Sequence, residues 1–276
     1  MNKSYEYLDN ICLIKTNKYK TISVYFNYSK PYDLKSKLIL NILTKFVGQY
    51  SNLYNSKQAM GKAVDMLYGA SLQSSVKVKA NLLLFNIKYS FINPRFLNDL
   101  NIEDFLEYMD ECLHNVYFSK DLLNEFKKVY KDTVARVLDN PKNYAKNQVV
   151  KLIGQKEENF LIYDLDHVNE IDAISLEDIK NVYKNLLKDF SCDIYVVGDF
   201  DDELIKHLEK YKSPCRFSLM NKPIEIEDIG EVIEEKDISQ SCLNIVYTNN
   251  NNRLNKDFYA YDRRCPFWCC TNFLVI

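Results

Sequence analysis

Two pairs of an acidic residue and a histidine stand four positions apart, the spacing that brings side chains together on one face of a helix. The pairs are Asp110 with His114 and Glu203 with His207. Carboxylate and imidazole groups both bind zinc, so each pair could form half of a metal site. We interpret both as surface ion pairs, each stabilising its own helix by a few tenths of a kcal/mol, roughly. The third histidine is His167, and no two histidines lie within five residues of each other, which excludes the zinc motifs H-x-x-E-H and H-E-x-x-H.

A third group of candidate ligands lies in the segment YDLDHV. It contains Asp164, Asp166 and His167. We expect this segment to be a solvated loop before a helix that begins at Ser175.

The cysteines offer a nucleophile or a metal cluster. Cys192 and Cys242 lie in apolar segments typical of strands, without a neighbouring histidine or basic cluster that would activate a thiol. Cys265, Cys269 and Cys270 could form a metal or redox cluster, but their spacing fits no standard zinc knuckle and no histidine is near. The chain also lacks G-x-G-x-x-G and P-loop motifs, so no motif supports nucleotide binding.

Composition limits the class of protein. The 276 residues are 47% hydrophobic, with 6 Gly and 6 Pro, which is typical of a chain with a packed core. The net charge of −2 gives no electrostatic footprint for nucleic acid. The N-terminus has no apolar region of the kind found in signal peptides, and no stretch approaches the ~18 apolar residues of a membrane span. We expect a soluble, cytoplasmic protein with mostly reduced cysteines and neither nucleic acid nor membrane as a partner.

The first hundred residues predict strands and two helices. Residues 20–28 alternate apolar and polar side chains as a half-buried strand does, and residues 33–47 form a helix that is apolar around much of its circumference. The predicted boundary residues are Asp33 and Gly48 for this helix, and Ser56 and Gly69 for a second one. Two strands are then predicted at 71–80 and 82–92.

The remainder reads as mostly helical between residues 102 and 187. Ser175 and Asp178 form a capping signature for the last of these helices. The predicted elements after it are a strand at 192–198, a helix at Asp201–Tyr211, an acidic linker at 222–237 and a strand at 238–248. This order predicts an α+β fold, with a mostly antiparallel sheet and helices packed on one face.

Several short sequence words, taken in order, resemble the insulinase-type (pitrilysin-type) metallopeptidase superfamily over residues 1–260. The words are the strand Lys20–Tyr28, the helix ending at Gly48, Leu67-Tyr68-Gly69-Ala70, Ile194-Tyr195-Val196-Val197-Gly198-Asp199 and Asp237-Ile238-Ser239-Gln240. The Leu67–Ala70 word resembles a bacterial branch associated with 5-aminopentanol modification of elongation factor P. Members of that branch lack the zinc motif and are encoded beside a sister protein that keeps it.

The resemblance implies where a zinc site would lie. The family carries H-x-x-E-H near the start of a helix, with two zinc-binding histidines and a glutamate that activates water. When the helix is aligned on Gly48, these positions hold Ile39, Ile42 and Leu43, which can neither bind a metal nor move a proton. A further family ligand is a glutamate on a later helix, for which Glu103, Glu107 and Glu111 are candidates by position. We expect no metal, no cofactor and no catalytic residue.

The resemblance also divides the chain. A family subunit contains two α/β repeats, and here residues 1–221 correspond to the first, 222–237 to an acidic linker and 238–276 to a truncated start of the second. Residues 260–276 differ in composition from the rest of the chain, and our preferred interpretation is that they are translated from a shifted reading frame. Codons chosen for Asp262–Ile276 and read one base later give a peptide resembling the helix and glycine turn of the second repeat. Trp268-Cys269 must yield glycine in that frame.

The sequence therefore predicts a catalytically inactive insulinase-type homologue. Its expected role is to pair as a heterodimer with a zinc-bearing sister peptidase and to help bind a peptide or protein substrate, in elongation factor P modification. Two alternatives remain open: a zinc peptidase with displaced ligands, and a non-functional truncated fragment. An unfinished second repeat would expose an apolar sheet edge or a helix-packing face, so self-association is a further expectation.

Overall fold

The computed structural model describes residues 5–79, 81–154, 164–211, 213, 215–217, 231, 233–235, 242–247 and 271–275. Two compact units divide the chain. The first comprises Met1–Lys127 and Ile171–Leu219, and the second Lys128–Glu170 and Met220–Ile276.

The first unit is built on a six-stranded sheet with the order β1-β2-β6-β3-β5-β4. The strands are β1 (Tyr5–Leu8), β2 (Ile11–Lys15), β3 (Thr21–Pro31), β4 (Ser71–Lys79), β5 (Leu82–Ile92) and β6 (Ser191–Gly198). Only β2 and β6 pair in parallel; every other neighbouring pair in this sheet is antiparallel. The predicted mostly antiparallel sheet is confirmed.

One face of this sheet carries the core. Every second residue of β3 from Ile22 to Tyr28 is buried, while the residues between them are half-buried. The register places Phe26 beside Ile87 on one side and Ile194 on the other, so apolar side chains of three strands share this face. The predicted alternation over residues 20–28 is confirmed.

The helices lie where the sequence predicts them. The α-helices are α1 (Leu34–Leu43), α2 (Lys57–Met66), α3 (Ile102–His114), α4 (Lys120–Asp139), α5 (Pro141–Gly154), α6 (Leu176–Asp189) and α7 (Asp202–Leu208). Short 3₁₀ helices cover Pro94–Phe96, Asp164–Ala173 and Glu209–Tyr211. Aromatic stacking joins α3 to the buried face of the sheet, with the rings of Phe105 and Phe91 4.9 Å apart. The expected α+β fold with helices on one face of the sheet is thus confirmed.

Side-chain caps set the helix starts. Asp33 accepts a hydrogen bond from the backbone N–H of Ser36 at 2.7 Å, and Ser56 accepts one from the N–H of Ala59 at 3.2 Å. Ser175 forms a reciprocal capping box with Asp178 at the start of α6. All three predicted caps are confirmed.

The end of α1 differs from the prediction. The helix stops at Leu43 rather than near residue 47, and turns carry the chain to Gly48. Gly48 has φ 76°, and an added Cβ would lie 2.5 Å from Cδ2 of Leu72 and 2.8 Å from its carbonyl oxygen. The glycine is therefore required both by its left-handed backbone and by the close approach of β4.

Two strands of the six-stranded sheet were not predicted from the sequence. β1 and β2 form a short hairpin in which Asp9 adopts φ 57°, and the Asp9-Asn10 turn is the local signal that marks it. On its other side β2 pairs in parallel with β6. The Asn10 side chain, next to β2, donates a 2.8 Å hydrogen bond to the carbonyl of Cys192, 182 positions away. A partner that distant leaves no periodic trace in the local sequence.

The predicted loop at Asp164–His167 is also wrong. These residues belong to the 3₁₀ helix Asp164–Ala173, which precedes α6. Short 3₁₀ helices lack the apolar 3.6-residue period that marks an α-helix, so sequence pattern reads them as loop.

The second unit contains α5 and a pair of strands. β7 (Leu243–Tyr247) lies within the strand predicted at 238–248 and pairs in parallel with β8 (Thr271–Val275). The predicted linker lies mostly outside the described residues, as do Cys265, Cys269 and Cys270. The division into repeats and the reading-frame hypothesis for residues 260–276 stay predictions.

Candidate functional site

The helix aligned with the zinc motif is packed into the protein interior. Ile39, Ile42 and Leu43 are exposed by only 2%, 1% and 0% of their surface. The helix forms because Asp33 caps it and its apolar residues recur on several faces, so that it is covered almost all round. Aliphatic side chains offer no lone pair to a metal, and their burial excludes solvent from these three positions.

The two acid–histidine pairs do not form within their own helices as expected. Nε2 of His207 lies 2.9 Å from Oδ1 of Asp110, across the gap between α7 and α3. The hydroxyl of Tyr211 donates to the same oxygen at 2.6 Å, and the ammonium of Lys210 contacts Oδ2. We call Asp110, His207, Lys210 and Tyr211 the Asp110 cluster. The expected pair of Asp110 with His114 is wrong, because the packing of α3 against α7 and the following 3₁₀ helix brings three better donors to the carboxylate.

The chemistry of the Asp110 cluster is that of a structural contact. Partial burial acts to raise the pKa of Asp110, but hydrogen bonds from Lys210, Tyr211 and His207 outweigh it and lower the pKa overall. The carboxylate is therefore held ionised, with its oxygens occupied by donors. Burial raises the pKa of Tyr211 far above its ordinary value, and the hydrogen bond to Asp110 adds to this rise.

His114 has a different neighbour from the one its spacing suggested. Its ring stacks on the ring of Tyr211, with centroids 5.1 Å apart and planes inclined by 15°. Partial burial lowers the pKa of His114, and the electrostatic effects of Lys210 and His207 add to this, against the opposing effect of Asp110. The neutral imidazole is thus the favoured form.

The candidate glutamates of α3 have separate roles. Glu103 is exposed, and its carboxyl group is hydrogen-bonded to that of Glu203 on α7, which raises the pKa of Glu203. Glu111 instead accepts a 2.8 Å hydrogen bond from the backbone N–H of Leu53 and a 2.6 Å one from the amide of Asn115. Glu107 is exposed. Over the part of the chain that the structure describes, no group of three or more His, Cys, Asp or Glu side chains could hold a metal ion.

The cysteine expected to be inert is deeply buried. Cys192 has no exposed surface. Burial raises the pKa of its thiol to about 12, with the nearby charge of Asp193 adding to the effect. A thiol with such a pKa stays protonated at neutral pH and is a poor nucleophile. Cys242 is a half-buried free thiol.

Sequence reasoning identified Asp110, His114 and His207 but missed Lys210 and Tyr211. Those two lie in a 3₁₀ helix, three and four positions after His207. Treating α7 and this 3₁₀ helix as one continuous helix would have placed both on the same face as His207. Among the described residues, no helix has both the length and the apolar content needed to cross a membrane.

Comparisons with known proteins agree with this geometry. No family model matches the chain. A curated relative from Bacillus subtilis, named "Probable inactive metalloprotease YmfF", is 23% identical over 260 residues, which cover 90% of this chain and 61% of that protein. This chain therefore spans about three fifths of the length of that relative.

Solved structures share the fold. A conserved protein from Enterococcus faecalis superposes with a TM-score of 0.70 at 17% identity, covering 87% of this chain and 56% of the other. The peptidase M16 inactive domain from Pseudomonas fluorescens gives a TM-score of 0.56 at 12% identity, covering 80% and 53%. Together with the order of elements, these structures show that the chain shares the fold of the peptidase M16 inactive domain, and in sequence it is similar to a relative named as an inactive metalloprotease.

Proposed function

We propose that this chain is the non-catalytic partner of a zinc-bearing sister peptidase, with which it forms a heterodimer. In this arrangement the sister holds the metal and hydrolyses the bond, while this chain contributes part of the surface that binds a peptide or protein substrate. The observation that carries the proposal is the buried aliphatic set Ile39, Ile42 and Leu43 on α1.

The physical reasoning starts from what a hydrolytic zinc site needs. Such a site requires nitrogen, oxygen or sulfur ligands, a general base and a position open to water and substrate. On α1 the aligned positions have neither donor atoms nor solvent access, so the helix can only contribute packing. A relative named as an inactive metalloprotease supports the same conclusion for this chain.

We extend the proposal to modification of elongation factor P. Its support is the resemblance of the Leu67–Ala70 word to the branch associated with that reaction. In this structure the word forms the turn after α2, where Tyr68 and Gly69 have φ 52° and 82°. The hydroxyl of Tyr68 donates to both carboxylate oxygens of Asp99, at 2.9 and 3.0 Å.

The test is to produce the full chain together with the zinc-bearing sister peptidase that the proposal requires from the same source. We expect a 1:1 complex by light scattering, with about one zinc per complex and peptidase activity that the sister alone lacks or shows only weakly. The matched control is a sister in which the first motif histidine is replaced by alanine. That complex should still form but lose both zinc and activity.

Three results would contradict the proposal. Stoichiometric zinc in this chain purified alone would show that it has metal ligands of its own. Failure of the two chains to associate would remove the heterodimer. Zinc retained by the complex with the mutated sister would place the metal on the wrong subunit.

A further inference from the structure

A cavity of about 240 Å³ lies within the first unit, between the buried face of the sheet and the helices. Tyr28 of β3 lies on its sheet side, while Tyr183 and Leu186 of α6 line its helical side. Tyr211 of the Asp110 cluster and the adjacent His114 also line the cavity. The zinc-motif positions Ile39, Ile42 and Leu43 on α1 do not line this cavity.

The three tyrosines that line the cavity present apolar rings to it, because their hydroxyl groups are bonded to other protein atoms. The hydroxyl of Tyr183 donates to the carbonyl of Leu113 at 2.6 Å, and that of Tyr211 donates to Asp110 at 2.6 Å. The hydroxyl of Tyr28 is buried against the thiol of Cys192. With these hydroxyl groups occupied by protein atoms, the rings are what remains for a ligand to contact.

Two side chains with nitrogen atoms, Lys184 and His114, also line the cavity. Lys184 of α6 contributes to the lining and its side chain is exposed. Within the described part of the chain, no acidic group pairs with Lys184 and no hydrogen bond reaches the ring nitrogens of His114. Lys210 and His207, by contrast, both contact the carboxylate of Asp110.

Size and charge together select a class of ligand. Benzene occupies an engineered apolar cavity of about 150 Å³, so a cavity of 240 Å³ has room for one six-membered ring with a short acid chain. Aromatic walls favour a ring, which can stack in offset or edge-to-face geometry on the tyrosines. One free ammonium and one imidazole in the lining suit one carboxylate better than a phosphate, which usually recruits several N–H donors.

We propose that this cavity binds a small aromatic monocarboxylate. Its ring lies among Tyr28, Tyr183 and Tyr211, and its carboxylate meets the ammonium of Lys184 and the imidazole of His114. Binding is a small-molecule activity separate from peptide hydrolysis. It would make the stability of the first unit depend on the concentration of such an acid.

The experiment is calorimetric titration of the full chain with phenylacetate and, in parallel, with the uncharged phenylacetamide. We expect saturable one-site binding of phenylacetate, with phenylacetamide binding about fivefold more weakly, the scale of an exposed ion pair. Lys184→Met should weaken phenylacetate binding by about the same factor. Lys180→Met, which removes an exposed lysine one turn earlier on α6 and outside the cavity, should leave it unchanged.

A cavity-filling variant tests the location. Leu186→Phe places a larger side chain in the cavity and should abolish phenylacetate binding while the chain keeps its far-ultraviolet circular dichroism. Equal affinity for phenylacetate and phenylacetamide would overturn the proposal, as would equal effects of Lys184→Met and Lys180→Met. Unchanged binding by a folded Leu186→Phe variant would place the ligand elsewhere and would also overturn it. Because Lys184→Met alters an exposed residue, the test stands even where Leu186→Phe does not fold.

Discussion

Replacing Asp110 with alanine should destabilise the first unit by about 3 kcal/mol. Tyr211 is exposed by only 1%, so its hydroxyl has no water to replace the lost carboxylate. A hydrogen bond to a charged group is worth about 1.5–3 kcal/mol. The partly exposed contacts of the carboxylate with His207 and Lys210 add roughly 0.5–1 kcal/mol together. The Tyr211 contact therefore dominates.

Smaller substitutions separate these contributions. Asp110→Asn keeps an oxygen for the Tyr211 hydroxyl and loses only the charge, so we expect a cost of about 1 kcal/mol. Tyr211→Phe should cost about 1.5 kcal/mol. The double-mutant cycle of Asp110→Ala with Tyr211→Phe should give a coupling energy of about 1.5 kcal/mol. Asp65→Asn, at an exposed carboxylate on α2, is the control and should change stability by less than about 0.5 kcal/mol.

The measurement is urea unfolding followed by circular dichroism, repeated across acid pH. Because the folded state lowers the pKa of Asp110, its contribution should be complete above the ordinary Asp pKa of about 3.9 and shrink as the pH falls through the folded value. The difference between the unmutated chain and Asp110→Asn should narrow in the same range. A coupling energy below about 0.5 kcal/mol would refute the reasoning, since two side chains joined by a buried hydrogen bond should not contribute independently to stability.

Three further perturbations follow from the structure. Gly48→Ala should lower the free energy of unfolding in urea by about 2–4 kcal/mol, because Gly48 has a left-handed backbone and an added Cβ would clash with Leu72. Gly61→Ala, which places a methyl group in open space on α2, is the control and should stabilise the chain by about 0.5–1 kcal/mol. Equal effects of the two substitutions would contradict the geometry. Because folding lowers the pKa of His114, the free energy of unfolding should fall as the pH drops from the ordinary His pKa of about 6.5 toward the folded value. His114→Gln should flatten this part of the plot of stability against pH. An unaltered plot would count against the stacked, partly buried imidazole. Ser175→Ala should lower the midpoint of thermal unfolding by removing about 1 kcal/mol of capping energy, with Ser175→Asp as the conservative control that keeps most of it.

Most individual elements of the first unit could be predicted because their signals are local. The starts of α1, α2 and α6 are set by Asp33, Ser56 and Ser175, whose side chains bond to backbone groups three positions away. The alternation in β3 is equally local, since successive side chains of a strand point to opposite faces. β1 and β2 escaped prediction because β2 depends on β6, a partner near the other end of the unit.

The sequence by itself determined that no zinc motif is present: the types and spacing of three histidines settle that without any folding. It also determined the helix on which Ile39, Ile42 and Leu43 lie. Only the tertiary structure decided that Asp110 pairs with His207, 97 positions away, rather than with His114 on its own helix. It likewise decided that three tyrosines from β3, α6 and the 3₁₀ helix after α7 enclose one cavity. The reason is that a helix period fixes which residues share a face, whereas the partner of that face is chosen by packing between distant segments.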